Sequence, residues 1–366
     1  MLSQETLKRT PLFEEHAALS ARIVPFGGWE MPVSYEGIIA EYDQTRKSVS
    51  VFDTCHMGEF LIEGDCQKSG LNRIVAHAIS DMPLKTCRYG VMLNEKGGVI
   101  DDLIVYRLDK EQWMIVVNGA TMEKDAHHMV SHLTKAALFK NISSKTGKLD
   151  VQGPLSRDVL KSFIPGIERL EYFGFDTFEF LGERNIVSRT GYTGELGFEV
   201  YFPWGKTREL WRKVLADKRV KPAGLGARDC LRLEMCYSLY GQELDETISP
   251  LEAGLEKFID FNKDFIGHGA LLAEKKKGVP RKIVYFTSET RQSPRHNHKI
   301  YLPNGKEIGI VTSGSFSPAL QKGIGIGLIR READITEGKI LFGDEKSKIA
   351  ASPSQRPFYK NGSLKS

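Results

Sequence analysis

Two adjacent aspartates, Asp101 and Asp102, stand in a run of β-branched and aromatic residues, Gly97–Tyr106. Side chains alternate along a strand, so Asp102 shares one face with Tyr106 and Asp101 lies on the other. The other positions of both faces are apolar, which predicts a strand covered on both sides. Carboxylates buried there need a partner or a changed pKa, as acid–base catalysts do. The alternative is structural: Asp101 is a turn residue after the two glycines, and Asp102 accepts a hydrogen bond from a backbone N–H of the sheet.

A second apolar run, Gln112–Asn118, follows after four residues, a length that suits a hairpin connection. Pairing outward from the turn places Asp102 opposite Val117 and Asp101 opposite Asn118. The spacing therefore predicts that two carboxylates and a carboxamide gather at the open end of one hairpin.

Two glycine-rich stretches are further candidates for ligand binding. Gly191–Glu199 has three glycines at a spacing of three, but it opens a strand, whereas the dinucleotide fingerprint opens a helix. It is either a ligand loop or a glycine-shaped bend. Pro222–Glu234 leads into a helix with Arg228 in its first turn, where the guanidinium could bind an anion or pair with nearby acids.

Three histidines, His127, His128 and His132, share a helical spacing that is typical of metal ligands. No glutamate stands in the zincin position and no third ligand lies nearby, so we interpret them as surface residues. The sequence contains no Walker loop and no nucleophile elbow. We therefore expect neither a metal nor a nucleotide cofactor.

The composition excludes several classes of function. Among 366 residues, 51 Lys and Arg against 47 Asp and Glu give a net charge of only +4, and no basic stripe is interleaved with aromatic residues. We expect no nucleic-acid partner. No apolar run reaches membrane-spanning length, so no membrane association is expected. Five cysteines without a Cys-x-x-Cys pair argue against a disulfide framework and favour a reducing, cytoplasmic location.

The order of elements predicts an α+β protein of two or three domains. Helices and strands alternate in small units up to a lysine-rich boundary near residues 273–281. One long amphipathic helix is predicted over 121–139. Five short strands beyond the boundary, between 283 and 342, predict a small antiparallel barrel or sandwich.

Taken together, these stretches resemble the aminomethyltransferase, or T-protein, family of the glycine cleavage system. The matching segments occur in family order: Arg9–Phe13, Gly28–Pro32, Arg46–Val49, Phe52–Asp53, His56–Phe60, Gly97–Tyr106, Ser188–Glu199, Pro222–Glu234, Asn262–Gly267 and Thr312–Pro318. One departure is Cys55, where the family usually has serine. We interpret it as a small buried substitute, with a reactive role as the alternative.

The resemblance implies three domains around a central channel. The first is discontinuous and ferredoxin-like, over 1–52 and 141–272, and binds folate. The second is an α+β domain over 53–140 that carries the Asp102 hairpin. The third, over 273–366, is a small antiparallel β-barrel.

The resemblance also implies a reaction in which tetrahydrofolate, as co-substrate, takes the methylene carbon from the aminomethyl-lipoyl arm of H-protein. The products are 5,10-methylenetetrahydrofolate, ammonia and dihydrolipoyl H-protein. The implied partners are lipoylated H-protein and, indirectly, the decarboxylase and lipoamide dehydrogenase of the same system.

Asp102 matches the family's catalytic aspartate. Glu199 matches the residue that binds the pterin, and Arg228 matches a folate-contacting arginine. We expect Asp101, on the opposite face of the strand, to matter less. The remaining positions expected near the folate are Tyr89, Tyr106, Asn118, Tyr172, Tyr192, Tyr237 and Tyr359.

Two alternatives remain open at this point. A relative of the same fold could take its one-carbon unit from another donor, such as a small sulfonium or methylamine. A folate-binding assembly factor for iron–sulfur proteins would carry a Lys-Gly-Cys-Tyr-x-Gly-Gln signature. The corresponding stretch, Cys236–Gln242, has Ser238 in place of the cysteine, which counts against this alternative.

Overall fold

The computed structural model describes residues 6–336, 338–344 and 346–365, which contain eight α-helices and twenty β-strands. The helices are α1 Phe13–Ala18, α2 Ile38–Lys47, α3 Leu71–Ile74, α4 Met122–His132, α5 Ser156–Lys161, α6 Thr207–Leu215, α7 Leu225–Glu234 and α8 His268–Lys277. The strands are β1 Lys8–Arg9, β2 Arg22–Phe26, β3 Trp29–Ser34, β4 Val49–Asp53, β5 Gly58–Glu63, β6 Cys87–Leu93, β7 Val99–Asp109, β8 Gln112–Val117, β9 Leu138–Asn141, β10 Thr146–Gln152, β11 Phe175–Phe180, β12 Glu183–Ser188, β13 Gly197–Pro203, β14 Val220–Pro222, β15 Arg281–Ser288, β16 Lys299–Tyr301, β17 Glu307–Ser317, β18 Lys322–Arg330, β19 Ile340–Gly343 and β20 Lys348–Ser354.

A six-stranded sheet in the order β11-β12-β13-β10-β4-β14 forms the first core. Leu149 and Val151 of β10 are fully buried in a cluster with Trp211 of α6 and Phe198 of β13. Because side chains alternate along a strand, the polar residues of β10 lie on the opposite face. That face belongs to the candidate site described below. A small three-stranded sheet, β1-β3-β2, is separate from this one.

A five-stranded sheet in the order β6-β7-β8-β5-β9 contains the predicted hairpin of β7 and β8. Both faces of β7 are covered, since Leu103 and Val105 pack in one cluster and Tyr106 packs in another. The predicted register is wrong by one residue. An irregularity between Arg107 and Asp109 adds a residue to the β7 side, so Ile104 pairs with Val116.

The predicted helix over 121–139 is also wrong in its second half. Helix α4 ends at His132, and Leu133 is extended. The chain then turns, where the backbone N–H of Thr134 donates to the carbonyl of Ser69, and β9 follows as an edge strand beside β5. Sheet pairing overrides the apolar periodicity in this segment.

The C-terminal part is a closed antiparallel barrel in the order β15-β18-β17-β16-β19-β20. Five of its strands were predicted; β20 was not. Helix α7 packs against β17 and β18 of the barrel and against Phe52 of β4, so it joins the barrel to the six-stranded sheet. The predicted α+β class with a C-terminal antiparallel barrel is confirmed. The domain limits stay a prediction, and residues 1 and 366, their outermost positions, lie outside the described residues.

Candidate functional site

Asp101 and Asp102 lie near the beginning of β7, just after a turn that packs closely. Gly97 has a positive φ of +86°, and a side chain at Gly98 would overlap the backbone carbonyl of Glu246. Glycine therefore lets this turn approach the segment after α7. The two glycines fix where β7 begins and thus where its carboxylates point.

Asn118 holds both carboxylates. Its Nδ2 atom lies 2.9 Å from Asp101 Oδ1 and 2.9 Å from Asp102 Oδ1, and its backbone N–H donates to Asp101 Oδ2 at 2.9 Å. The Tyr89 hydroxyl donates to Asp102 Oδ2 at 3.0 Å. The structure thus brings together four residues that the sequence singled out, and we call Asp101, Asp102, Asn118 and Tyr89 the aspartate cluster.

Burial and the neighbouring Asp101 carboxylate raise the pKa of Asp102 to about 7, although Tyr89 and Asn118 oppose the shift. Burial also raises the pKa of Asp101, although the hydrogen bonds that this carboxylate accepts lower it. A carboxyl with a pKa near neutrality can both take and give a proton at neutral pH. The aspartate cluster therefore has the properties of an acid–base centre.

A second group of charges surrounds Glu199 of β13 and Arg228 of α7. Lys148 Nζ lies 2.6 Å from Asp150 Oδ1 and 3.1 Å from Glu199 Oε2, and Arg228 donates to Asp150 Oδ2 at 2.7 Å. Asp150 and Glu199 are paired positions of β10 and β13, which places their carboxyl groups side by side. We call Lys148, Asp150, Glu199 and Arg228 the ion cluster.

The two carboxyls of the ion cluster differ in their proton affinity. Burial alone would raise the pKa of Asp150, but the charges of Lys148 and Arg228 lower it to about 2. For Glu199 burial is the larger effect and raises its pKa, while Lys148 opposes the shift. Asp150 is thus firmly ionised, and Glu199 depends on Lys148 for its charge.

Tyr106 stands behind the ion cluster. Its hydroxyl is 2.9 Å from the hydroxyl of Tyr201 and 3.0 Å from that of Ser188, and Tyr201 donates to Glu199 Oε2 at 3.2 Å. Tyr106 is completely buried, so its hydroxyl acts on Glu199 through Tyr201.

Three other predicted tyrosines form an aromatic wall. The rings of Tyr192 and Tyr237 are stacked with centroids 5.7 Å apart, and Arg228 lies 5.1 Å from the Tyr192 centroid. Burial raises the pKa of Tyr192, and Asp102 adds to this shift, so Tyr192 lies between the two clusters. Tyr172 is 39% exposed and adjoins Tyr237 at the edge of the wall.

Tyr359 belongs to a neighbouring network. Its ring lies 3.9 Å from the guanidinium of Arg46, which pairs with Glu195 at 2.8 Å and with Glu234 at 2.7 Å. Arg46 also acts on Tyr237, where burial raises the pKa and Arg46 lowers it. Tyr359 thus approaches the aromatic wall through Arg46.

Sequence reasoning missed the buried partners of the predicted residues. Lys148 and Asp150 lie on the polar face of β10 and alternate with the apolar residues Leu149 and Val151. This alternation was the available signal in the sequence. Asp125 of α4 gave no such signal, because an acidic residue in a first helical turn is ordinary. It is completely buried next to Asp101.

Cys55 is buried, and its thiol donates to the Lys148 carbonyl at 3.4 Å. Burial raises its pKa well above the ordinary range, so the thiol is held in its unreactive form. In the described residues, no group of three or more His, Cys, Asp and Glu side chains is arranged to hold a metal ion. No helix in the same ranges has the length and apolar character needed to span a membrane.

Residues 12–263 match the family described as the GCVT N-terminal domain, and residues 281–360 match the glycine cleavage T-protein C-terminal barrel domain. An aminomethyltransferase of Pseudothermotoga lettingae is 41% identical over 364 residues, which are 98% of this chain and 100% of that protein. The aminomethyltransferase of Thermotoga maritima is 40% identical over 97% of this chain and 98% of its own length. The crystal structure of glycine cleavage system aminomethyltransferase T from Bartonella henselae matches with a TM-score of 0.90 and 31% identity, over 97% of this chain and 99% of that chain. The chain belongs to the glycine cleavage T-protein family and is an aminomethyltransferase, an enzyme of the transferase class.

Proposed function

We propose that Asp102 is the acid–base residue of the transfer, that tetrahydrofolate is the acceptor, and that lipoylated H-protein delivers the aminomethyl group. In the balanced reaction the donor's C–S and C–N bonds break, two C–N bonds to folate form, and the two N–H protons of folate end on the thiol and on ammonia. The observation that carries the proposal is the position of Asp102, which is half-buried, accepts hydrogen bonds from Tyr89 and Asn118, and has a pKa raised to about 7.

The chain's residues fit a folate head group. A pterin presents two parallel N–H donors, which one carboxylate can accept together. Lys148 and Tyr201 both contact Oε2 of Glu199, and each carboxylate oxygen can accept two hydrogen bonds, so acceptor capacity remains. Tyr192 and Tyr237 offer flat faces for the rings. We propose that Glu199 and Arg228 bind folate and that Lys148 keeps Glu199 ionised.

Asp102 performs two tasks in this proposal. Its carboxylate accepts a hydrogen bond from the attacking folate nitrogen and orients it, and it then holds or passes on the proton as ammonia leaves. Tyr89 and Asn118 each donate to one of its oxygens and fix the orientation of the carboxyl plane. Tyr106, Tyr172 and Tyr359 support the folate site from positions further from Asp102.

The partners and the location are part of the same proposal. The aminomethyl-lipoyl arm arrives on H-protein, and the decarboxylase and lipoamide dehydrogenase of the same system are indirect partners of this chain. All five cysteines are free thiols, which is in keeping with a reducing compartment and so with the cytoplasm.

The first test is ammonia release from aminomethylated H-protein, with and without tetrahydrofolate, for the native chain and for Asp102→Asn. We expect fast, folate-dependent release that the substitution reduces by about a hundredfold or more, the usual range for a general acid–base group. Asp109→Asn, an exposed position on the same strand, is the matched control and retains native rates.

Circular dichroism checks that both variants are folded. If folded Asp102→Asn releases ammonia at the native rate, Asp102 is not the acid–base residue. If folate binds but does not accelerate release, the one-carbon donor is another compound or the chain acts as a folate-binding assembly factor.

A further inference from the structure

Asp125 lies in the first turns of α4, which pack against the aspartate cluster. It is completely buried, and its carboxyl group faces Asp101. Within the described part of the chain, neither carboxyl oxygen of Asp125 accepts a hydrogen bond from an N–H or O–H donor. The adjacent hydroxyl of Thr121 donates to the carbonyl of Asn118, at 3.1 Å, and its proximity to Asp125 only partly opposes the rise in the pKa of that carboxyl.

A fully buried carboxylate without a donor is costly, and a second carboxylate beside it makes the cost larger. Protonation removes both costs, because a carboxylic acid can donate to the neighbouring carboxylate. Burial and the Asp101 charge raise the pKa of Asp125 to about 10, so Asp125 carries the proton at neutral pH. Asp101 accepts further hydrogen bonds from Asn118, which favour its ionised form.

We propose that Asp125 is a positioning residue: its carboxylic acid donates a hydrogen bond to Asp101 and thereby keeps Asp101 ionised beside Asp102. The negative charge of Asp101 then has two effects. It holds the Asn118 amide, whose Nδ2 also donates to Asp102, and it makes Asp102 harder to ionise. This inference rests on the proposed role of Asp102. It also gives Asp101 a larger role than its place on the opposite face of β7 suggests.

Other titratable groups face this chain of carboxyls. Lys124 of α4 lowers the proton affinity of Asp125, but its Nζ is bound by the Tyr240 hydroxyl at 2.7 Å and by Glu246 at 2.9 Å. Tyr89 of β6 and Tyr192 face Asp102, and burial raises the pKa of both hydroxyls, which therefore stay protonated. Asp102 is thus the group of this set that exchanges its proton near neutral pH.

The test compares Asp125→Leu with Asp125→Asn in the folate-dependent ammonia assay over a range of pH. In the leucine variant Asp101 loses its donor and takes up the proton itself, so Asp102 loses a charged neighbour. The pKa of Asp102 therefore falls, and the inflection of the pH–rate profile near pH 7 moves down by about one pH unit. The asparagine amide still donates to Asp101, so that variant keeps the inflection in its native position. A merely structural role would lower the rate in both variants without separating their pH profiles.

Infrared difference spectroscopy gives a readout that needs no activity. At neutral pH, the native spectrum minus that of Asp125→Asn contains the C=O band of a protonated carboxylic acid if Asp125 carries the proton. The absence of this band overturns the inference, even if the leucine variant does not fold. Unchanged pH profiles in both Asp125 variants, with Asp102→Asn inactive, also overturn it. A fully active Asp102→Asn variant instead overturns the proposed function.

Discussion

Replacing Lys148 by methionine removes a buried cation from between two carboxyls and keeps most of the volume of the side chain. The ammonium is 1% exposed and lies 2.6 Å from Asp150 and 3.1 Å from Glu199. At an effective dielectric constant near 20, each attraction is worth about 5–6 kcal/mol. Dehydration of the ions offsets several kcal/mol of this. We expect Lys148→Met to lower the free energy of unfolding by about 3–5 kcal/mol, the range for breaking a buried ion pair from one side.

The loss depends on pH through Asp150, whose pKa in the folded protein is about 2, below its value in the unfolded chain. A lowered carboxyl pKa stabilises the fold above the unfolded pKa, by about 2 kcal/mol here, and this contribution disappears as the pH falls towards 2. Lys148→Met raises the pKa of both Asp150 and Glu199. Its deficit is therefore largest at neutral pH and shrinks as the pH is lowered below about 5.

Urea unfolding followed by tryptophan fluorescence and far-ultraviolet circular dichroism measures the change, with Lys221→Met as the matched control. Lys221 is in β14 of the same sheet, but its contact with Glu36, at 2.8 Å, joins two half-exposed side chains. The control should lose at most about 1 kcal/mol. A loss in Lys148→Met that is as small as the control's would refute the reasoning, because the two carboxyls would then not need a cation.

Three further predictions concern the aspartate cluster and the thiols. Tyr89→Phe removes a hydrogen-bond donor to Asp102 and so raises the pKa of Asp102. The inflection of the pH profile of ammonia release near pH 7 should therefore move up by about one unit, opposite to the shift expected for Asp125→Leu. Gly98→Ala forces a methyl group into the Glu246 carbonyl, so we expect a loss of about 1–3 kcal/mol in urea unfolding and reduced activity. Gly205→Ala, where no atom lies within 4 Å and the backbone is not left-handed, should retain native stability and turnover. All five cysteines are buried with raised pKa values, so a thiol reagent should label none in the native protein and five after denaturation; fast native labelling would contradict this.

Local patterns predicted those parts of the site that lie within one hairpin. The run around Asp102 was identifiable because β7 is apolar on both faces, so a carboxylate in it stands out. Its register could not be read from the sequence, because the irregularity near Arg107 changes which residue faces Asn118. The resemblance to the family supplied Glu199 and Arg228, whose local patterns left a structural role open.

Contacts between distant segments could not be predicted from the sequence. The ion cluster combines Lys148 and Asp150 of β10 with Arg228 of α7, nearly eighty residues further along the chain. Asp125 joins Asp101 only because α4 packs on the hairpin. The same limit explains the helix predicted over 121–139, since pairing of β9 with β5 decides that segment.

The two clusters differ in how their charge is balanced, and this difference fits the separate roles that we propose for them. Asp150 lies between two cations, so its charge is fixed and it can anchor Arg228 and Lys148 for recognition. Among the described residues, no ion pair joins Asp101, Asp102 or Asp125 to a cation. We propose that Asp125 carries a proton in this group, whereas burial and the Asp101 charge raise the pKa of Asp102 towards neutrality. A cation placed beside Asp102 would stabilise its carboxylate but lower that pKa, so a position without a paired cation suits the proton transfer that we propose for Asp102.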